Sequence, residues 1–194
     1  MKREISVGIL AGGKSSRMGH NKAYLPIGNE SFLEHTVRIC SGYKDLWISV
    51  DDPEKYPGLP YSLAVDEKKD YGPVEGIYQL LRHVKNSYCI ILATDMPLLK
   101  PSLLQAMEQR LSGMEDCLIL TSEGRIHPLC GIYKKTLLPA FEEMRKKEIH
   151  KIRLLFDHVK TVYVDLEDLG FSEKYLDNIN TQQEYESLRK RECE

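Results

Sequence analysis

At 194 residues with 42% apolar side chains, the chain is long enough for one sizeable core and predicts a single domain over 1–194. Its 27 basic and 29 acidic residues nearly cancel, which argues against nucleic acid or a membrane surface as partner and requires any anion site to be local. Five widely spaced cysteines, Cys40, Cys89, Cys117, Cys130 and Cys193, exclude the short-spaced zinc and redox motifs and read as reduced thiols of a cytoplasmic protein.

The N-terminus runs straight into a strand, with no apolar stretch long enough for a signal peptide or membrane span. That strand, Ile5-Ser6-Val7-Gly8-Ile9-Leu10, is an apolar run of the kind buried in parallel sheets. It empties into Ala11-Gly12-Gly13-Lys14-Ser15-Ser16-Arg17-Met18-Gly19-His20-Asn21-Lys22. Paired glycines and hydroxyls offer backbone N–H groups with little bulk, which suits a phosphate chain, and Arg17 and Lys22 add fixed positive charge. Ser31 with Glu34 makes a capping box for a helix through Phe32, Leu33, His35, Val37 and Ile39. A strand over 46–50 stops at Asp51-Asp52-Pro53, and a second over 61–66 ends in Asp66. The turn through Gly72-Pro73 then starts a helix over 74–84.

The most apolar strand, 88–93, ends abruptly in Thr94-Asp95-Met96-Pro97, and its continuous apolar character predicts a central parallel position. Open α/β sheets bind ligands beyond the carboxyl ends of their strands, and Gly12, Asp51, Asp66 and Asp95 all stand at such ends. Further on, a helix begins near Pro101, and 117–121 and 126–133 form a hairpin across Ser122-Glu123-Gly124, placing antiparallel strands at one side of the parallel set. Helices over 136–146 and 181–191, the latter capped by Thr181, and a strand over 161–166 complete the chain. The fold class is α/β: a mostly parallel Rossmann-like sheet flanked by helices, with a small antiparallel hairpin in the C-terminal part.

A literal search finds the P-loop pattern in Gly8 followed by Gly13-Lys14-Ser15. A true P-loop opens after its strand, whereas Gly8 lies inside Val7-Gly8-Ile9-Leu10. The dinucleotide fingerprint G-x-G-x-x-G is absent, so a nicotinamide oxidoreductase has no support.

Leu10-Ala11-Gly12-Gly13, Ser16-Arg17-Met18-Gly19 and Lys22, then Gly72-Pro73, Thr94-Asp95-Met96-Pro97-Leu98, Arg125-Ile126-His127-Pro128 and Asn178-Ile179-Asn180-Thr181 together resemble molybdenum cofactor guanylyltransferases. The landmarks span nearly the whole chain. The opening signature is shared by many nucleotidyltransferases of Rossmann-like fold, and the later motifs narrow the acceptor. Related cytidylyl enzymes usually read Leu-Ala-Ala-Gly at the first motif, so the resemblance implies guanine.

The implied reaction transfers GMP from Mg-GTP to the terminal phosphate of molybdenum-bound molybdopterin and releases pyrophosphate. Molybdenum cofactor delivery proteins are implied partners, and the enzyme is expected to be a monomer. Such a reaction brings several negative charges together, so positioning and neutralisation carry the catalysis. By resemblance, the amides of Leu10, Ala11, Gly12 and Gly13 hold the nucleotide, Arg17 grips its phosphates, and Lys22 stabilises charge at the α-phosphate. Asp95 is the magnesium carboxylate, with helix capping as its competing role, and Asn178 and Asn180 add an amide oxygen or orient a metal-bound water, with turn formation and capping as their competing role. Asp66 meets the N1–H and N2–H₂ edge of guanine, its alternative being a solvated turn, and Asp51 touches the nucleotide. By the same resemblance, Gly72, Pro73 and Gly76 form the acceptor side, so that residues 1–100 are mainly the nucleotide-binding part and 101–194 mainly the acceptor-binding part. His127 is a further candidate contact or else a packed hairpin histidine, and the basic patch Arg145-Lys146-Lys147, His150-Lys151 and Arg153 is another candidate or else a solvated helix face.

Two positions depart from the family pattern. Asn21 stands where relatives often carry Asp, and Glu75 where a small residue is usual, so Glu75 must point away from an anionic acceptor or pair with a base. The other readings are a nucleotidyltransferase with CTP or another phosphorylated acceptor, a P-loop ATPase or kinase using Lys14, and a silent nucleotide-binding module.

Overall fold

In the computed structural model, which describes residues 4–12 and 21–192, the first strand, β1 (Ser6–Leu10), is buried along its whole length. Gly13, Lys14, Arg17 and Cys193 lie outside the described residues. A short ribbon of β2 (Pro26–Ile27) and β3 (Glu30–Ser31) leads into α1 (Phe32–Ile39). There the expected capping box forms, with the Ser31 hydroxyl accepting from the Glu34 amide at 3.2 Å while the Glu34 carboxylate accepts from the Ser31 amide at 2.7 Å. β4 (Leu46–Val50), β5 (Ser62–Val65), α2 (Pro73–His83), β6 (Tyr88–Ala93) and α3 (Pro101–Gln109) follow in the alternation that builds parallel sheets. Then come β7 (Cys117–Ser122), β8 (Arg125–Lys134), α4 (Leu138–Lys146), β9 (Thr161–Asp165) and α5 (Gln182–Glu192).

The main sheet has seven strands in the order β5-β4-β1-β6-β8-β7-β9. β5, β4, β1 and β6 run parallel, β8 is antiparallel to both its neighbours, and β9 is parallel to β7. The hairpin lies at one side of the parallel set, as the sequence suggests, and contributes one reversed strand, β8, to the main sheet. The physical reason is a turn with positive φ at both Glu123 (48°) and Gly124 (72°), the geometry that folds a strand tightly back. Its long second arm, ten residues, then pairs on both edges.

Each face of the sheet carries its own apolar layer. Val7 and Ile9 pack with Leu33 and Val37 of α1 and Leu103 and Met107 of α3. Leu10 and Ile91 pack with Val74, Ile77 and Leu80 of α2 and Phe141 of α4. Gly8 sits mid-strand, opposite Trp47 and Ile91, and a Cβ there would lie 2.7 Å from a Leu80 methyl. It is a helix-packing glycine, and the P-loop reading loses its opening residue. A third cluster, Ile27, Phe32, Ile179, Tyr185 and Leu188, ties α5 to the β2–β3 ribbon. Cys40, Cys89, Cys117 and Cys130 are free and buried. Among the described residues no helix is long and apolar enough to cross a membrane.

Candidate active site

Because β1, β4, β5 and β6 run parallel, their carboxyl ends lie side by side. The Ala11 and Gly12 amides both donate to the Ser49 carbonyl, at 3.0 and 3.2 Å, and the Thr94 amide donates to the Leu10 carbonyl at 3.3 Å. The amides of Ala11 and Gly12 are therefore engaged within the sheet, which fixes this corner of the backbone against β4. Gly12 is required by close approach: a Cβ would lie 2.9 Å from the Asp51 amide nitrogen. Asp51 itself pairs with Lys55 at 2.6 Å.

A buried tyrosine that the sequence did not single out fastens this corner. The Tyr56 hydroxyl donates to the Ala11 carbonyl at 2.6 Å and lies 3.5 Å from Asn21 Oδ1. It therefore bridges the residues on either side of 13–20. Asn21 Oδ1 also accepts from the Ala23 amide at 3.1 Å, which caps the short turn Lys22–Tyr24 and fixes the base of the Lys22 side chain.

Lys22 meets two distant partners. Its Nζ donates to Asp95 Oδ2 at 3.1 Å and to Asn180 Oδ1 at 2.8 Å. The strand ending at Ala93 brings Asp95 to this point, and the Ile179 amide donates to the Asp95 carbonyl at 2.8 Å. Ile179 is buried in the cluster with Phe32, Tyr185 and Leu188, so the flanking Asn178 and Asn180 face outward, both exposed. Asp95 Oδ1 is buried with no hydrogen-bond partner among the described residues, an uncommon and unfavourable state for a carboxylate oxygen. Among the described residues no group of three His, Cys, Asp or Glu side chains is placed to hold a metal ion by itself. One open carboxylate oxygen beside an amide oxygen suits a hard cation that takes most of its ligands from water and phosphate, as Mg²⁺ does.

Asp66 follows β5, its amide donating to the Val50 carbonyl at 2.9 Å and its Oδ1 accepting from the Ser49 hydroxyl at 3.2 Å. Burial first, then the nearby carboxylates of Glu75 and Asp51, push its carboxyl up to about 7, against the opposing Ser49 hydrogen bond and the positive charge of Arg145.

Glu75 is wholly buried in the first turn of α2. It pairs with Arg145, whose Nε lies 2.5 Å from Oε2 and whose guanidinium also reaches Glu67 at 3.1 Å and lies 3.9 Å over the Tyr78 ring. Arg145 is thus a buried cation held by Glu75 and Glu67, set apart from a solvated helix face. Lys146 and Lys147 pair with Glu142 and Glu143 along α4.

Gly72 has φ +83° and caps α2, with exposed Pro73 opening the helix. Gly76 is buried, and a Cβ there would come 2.5 Å from Leu10 Cδ2 and 2.8 Å from Ser49 Oγ. Its close contact is with the sheet, where the missing side chain lets α2 pack. The register of β8, with Leu92 opposite Cys130, carries His127 past the carboxyl end of β6. There its Nε2 lies 2.8 Å from the Ser122 hydroxyl, and burial, reinforced by Arg125, lowers its pKa.

A mostly parallel sheet whose strand ends gather a lysine, a carboxylate and a glycine-backed corner is the setting found in the nucleotide-transferring enzyme class to which the family match assigns this chain. The MobA-like NTP transferase domain matches residues 7–162, and the chain belongs to that family. A Carboxydothermus hydrogenoformans protein named "Probable molybdenum cofactor guanylyltransferase" is 34% identical over 97% of this chain and 96% of its own. The Campylobacter jejuni "Molybdenum cofactor guanylyltransferase" is 32% identical over 96% of each. Among solved structures, the molybdopterin-guanine dinucleotide biosynthesis protein A of Archaeoglobus fulgidus superposes with a TM-score of 0.85, covering 97% of this chain and 98% of that one at 23% identity. That likeness carries the fold.

Proposed function

We propose that the chain is a molybdenum cofactor guanylyltransferase, transferring GMP from GTP to the terminal phosphate of molybdenum-bound molybdopterin, with pyrophosphate as the second product. The observation that carries this reading is the meeting of Lys22, Asp95 and Asn180, with Asp95 Oδ1 left open beside them. The names of relatives that match nearly end to end supply the acceptor.

Phosphate attack on phosphate needs no protein nucleophile; it needs negative charges held together in line and neutralised. Lys22 supplies a cation whose position is set by two acceptors before any ligand arrives. Asp95 and Asn180 are the residues that hold Mg²⁺, and the ion, when bound, neutralises phosphate charge. Arg17 and Gly13 are assigned to the phosphates by family resemblance. Asp66 accepts from the guanine edge, which its ionised form alone can do with both oxygens. Asp51 stands beside the nucleotide, Gly72, Pro73 and His127 are assigned to the acceptor, and the setting is a cytoplasmic monomer.

The protein is incubated with GTP, Mg²⁺ and molybdopterin, and both pyrophosphate and the dinucleotide product are measured, with CTP and ATP as competitors. Lys22→Ala and Asp95→Ala are each expected to lower turnover by about 10²-fold or more, the size of effect seen when a charge-stabilising group is removed. Undiminished turnover in both variants overturns the site, CTP preference overturns the base, and orthophosphate as product overturns the reaction.

A further inference from the structure

We infer that Glu75, clasped by Arg145, is a positioning residue for the nucleotide site: it holds the backbone that follows Asp66 and places a fixed negative charge behind that carboxylate. The inference rests on the reading of Asp66 as a contact to the nucleotide.

The geometry is specific. Glu75 Oε1 accepts from the Glu67 amide at 3.0 Å and the Lys68 amide at 3.3 Å, the two residues directly after Asp66. The same carboxylate accepts from Gln79 Nε2 at 2.7 Å and from Arg145 Nη2 at 3.2 Å. Lys68 Nζ in turn donates to the Arg145 carbonyl at 2.7 Å, and Glu67 is shared between Arg145 and Arg82. The 67–68 segment is thus gripped from α2 and α4 at once. A buried ion pair of this kind gives little net stability over an apolar substitute, because desolvation offsets the attraction. A pair that carries that desolvation cost, and is wired to two backbone amides beside a site carboxylate, fits a role in placing that carboxylate.

Its electrical consequence follows from the groups that face Asp66. α2 presents Glu75, the end of β4 presents Ser49 and Asp51, and α4 presents Arg145. Glu75 and Asp51 disfavour the ionised carboxylate, whereas Arg145 and the Ser49 hydroxyl favour it. Nucleotide affinity should therefore rise with pH through neutrality, and the position of that step should follow the charge at 75 and 145. Glu75→Gln keeps an oxygen for the amides and removes the charge, so the step moves to lower pH. Arg145→Met removes the opposing cation, so the step moves to higher pH.

GTP affinity is measured from acid to alkaline pH for the wild type, Asp66→Asn, Glu75→Gln and Arg145→Met, and the Asp66 carboxyl is titrated by carbon NMR without ligand. Asp66→Asn supplies the background from ionisation of the GTP phosphates. Opposite shifts of about one pH unit in the two clasp variants, in binding and in NMR alike, are the expected result. An Asp66→Asn profile indistinguishable from wild type removes Asp66 from the nucleotide site and overturns both readings. A step that depends on Asp66 yet stays put in Glu75→Gln and Arg145→Met overturns the clasp alone. Should Glu75→Gln fail to fold, the Arg145→Met shift and the NMR titration decide.

Discussion

At the residue scale, Asp66 has opposite effects on folding and on the proposed binding. Its carboxyl ordinarily ionises near 3.8 and is pushed to about 7 in the folded protein, so the native state holds this proton more tightly than the unfolded chain. By linkage the group costs nothing below its unfolded value, and the cost grows as pH rises, reaching its full size above the folded value. Asp66→Asn should therefore raise the melting temperature little at pH 4 and clearly at pH 8, while weakening GTP binding. Thermal unfolding across that range checks it, and an offset that stays constant with pH would show that the carboxyl does not titrate as stated. Asp95 differs in kind, since one of its buried carboxylate oxygens has no hydrogen-bond partner among the described residues, whereas Asp66 lies near other acids.

At the element scale, the contact of α2 with the sheet decides where the site's floor lies. Two glycines permit it: Gly8 lets Leu80 lie on β1, and Gly76 lets the helix approach Leu10 and Ser49. Gly76→Ala gains about 1 kcal/mol of helix propensity. The added methyl, however, needs space 2.5 Å from Leu10 Cδ2 and 2.8 Å from Ser49 Oγ. Overpacking of that kind costs about 1–3 kcal/mol, so the variant should be destabilised on balance in urea unfolding. It should also bind GTP more weakly, because Ser49 is the hydroxyl that holds Asp66. Stability equal to wild type would mean that α2 rides over the extra methyl freely.

Across the whole molecule, α5 secures the far wall of the site. Leu188 and Tyr185 pack on Ile179 and Phe32, Tyr185 donates to the Pro26 carbonyl at 2.7 Å, and Ile179 holds the Asp95 carbonyl. Leu188→Ala should cost about 2–5 kcal/mol, the usual range for a buried leucine. Hydrogen exchange should quicken at Ile179 and around Asp95 while the central strands β1 and β6 keep their protection, and the apparent affinity for Mg-GTP should fall. Faster exchange spread evenly through the sheet would instead place α5 in the main core.

Local pattern determined a great deal of this protein. The strands over 46–50 and 88–93, the Ser31 capping box and the gathering of Gly12, Asp51, Asp66 and Asp95 at strand ends are all legible, because apolar runs, caps and turn residues act within a few positions of one another. Only the tertiary structure decided that β8 inserts between β6 and β7, that Lys22 meets Asp95 across 73 residues and Asn180 across 158, and that Glu75 pairs with Arg145 across 70. Tyr56 carried no signal in its spacing, and Ser49 only that of a polar residue in an apolar strand. Which strand edge is free and which buried charge finds a partner depend on long-range register and burial, and no local window of sequence contains either.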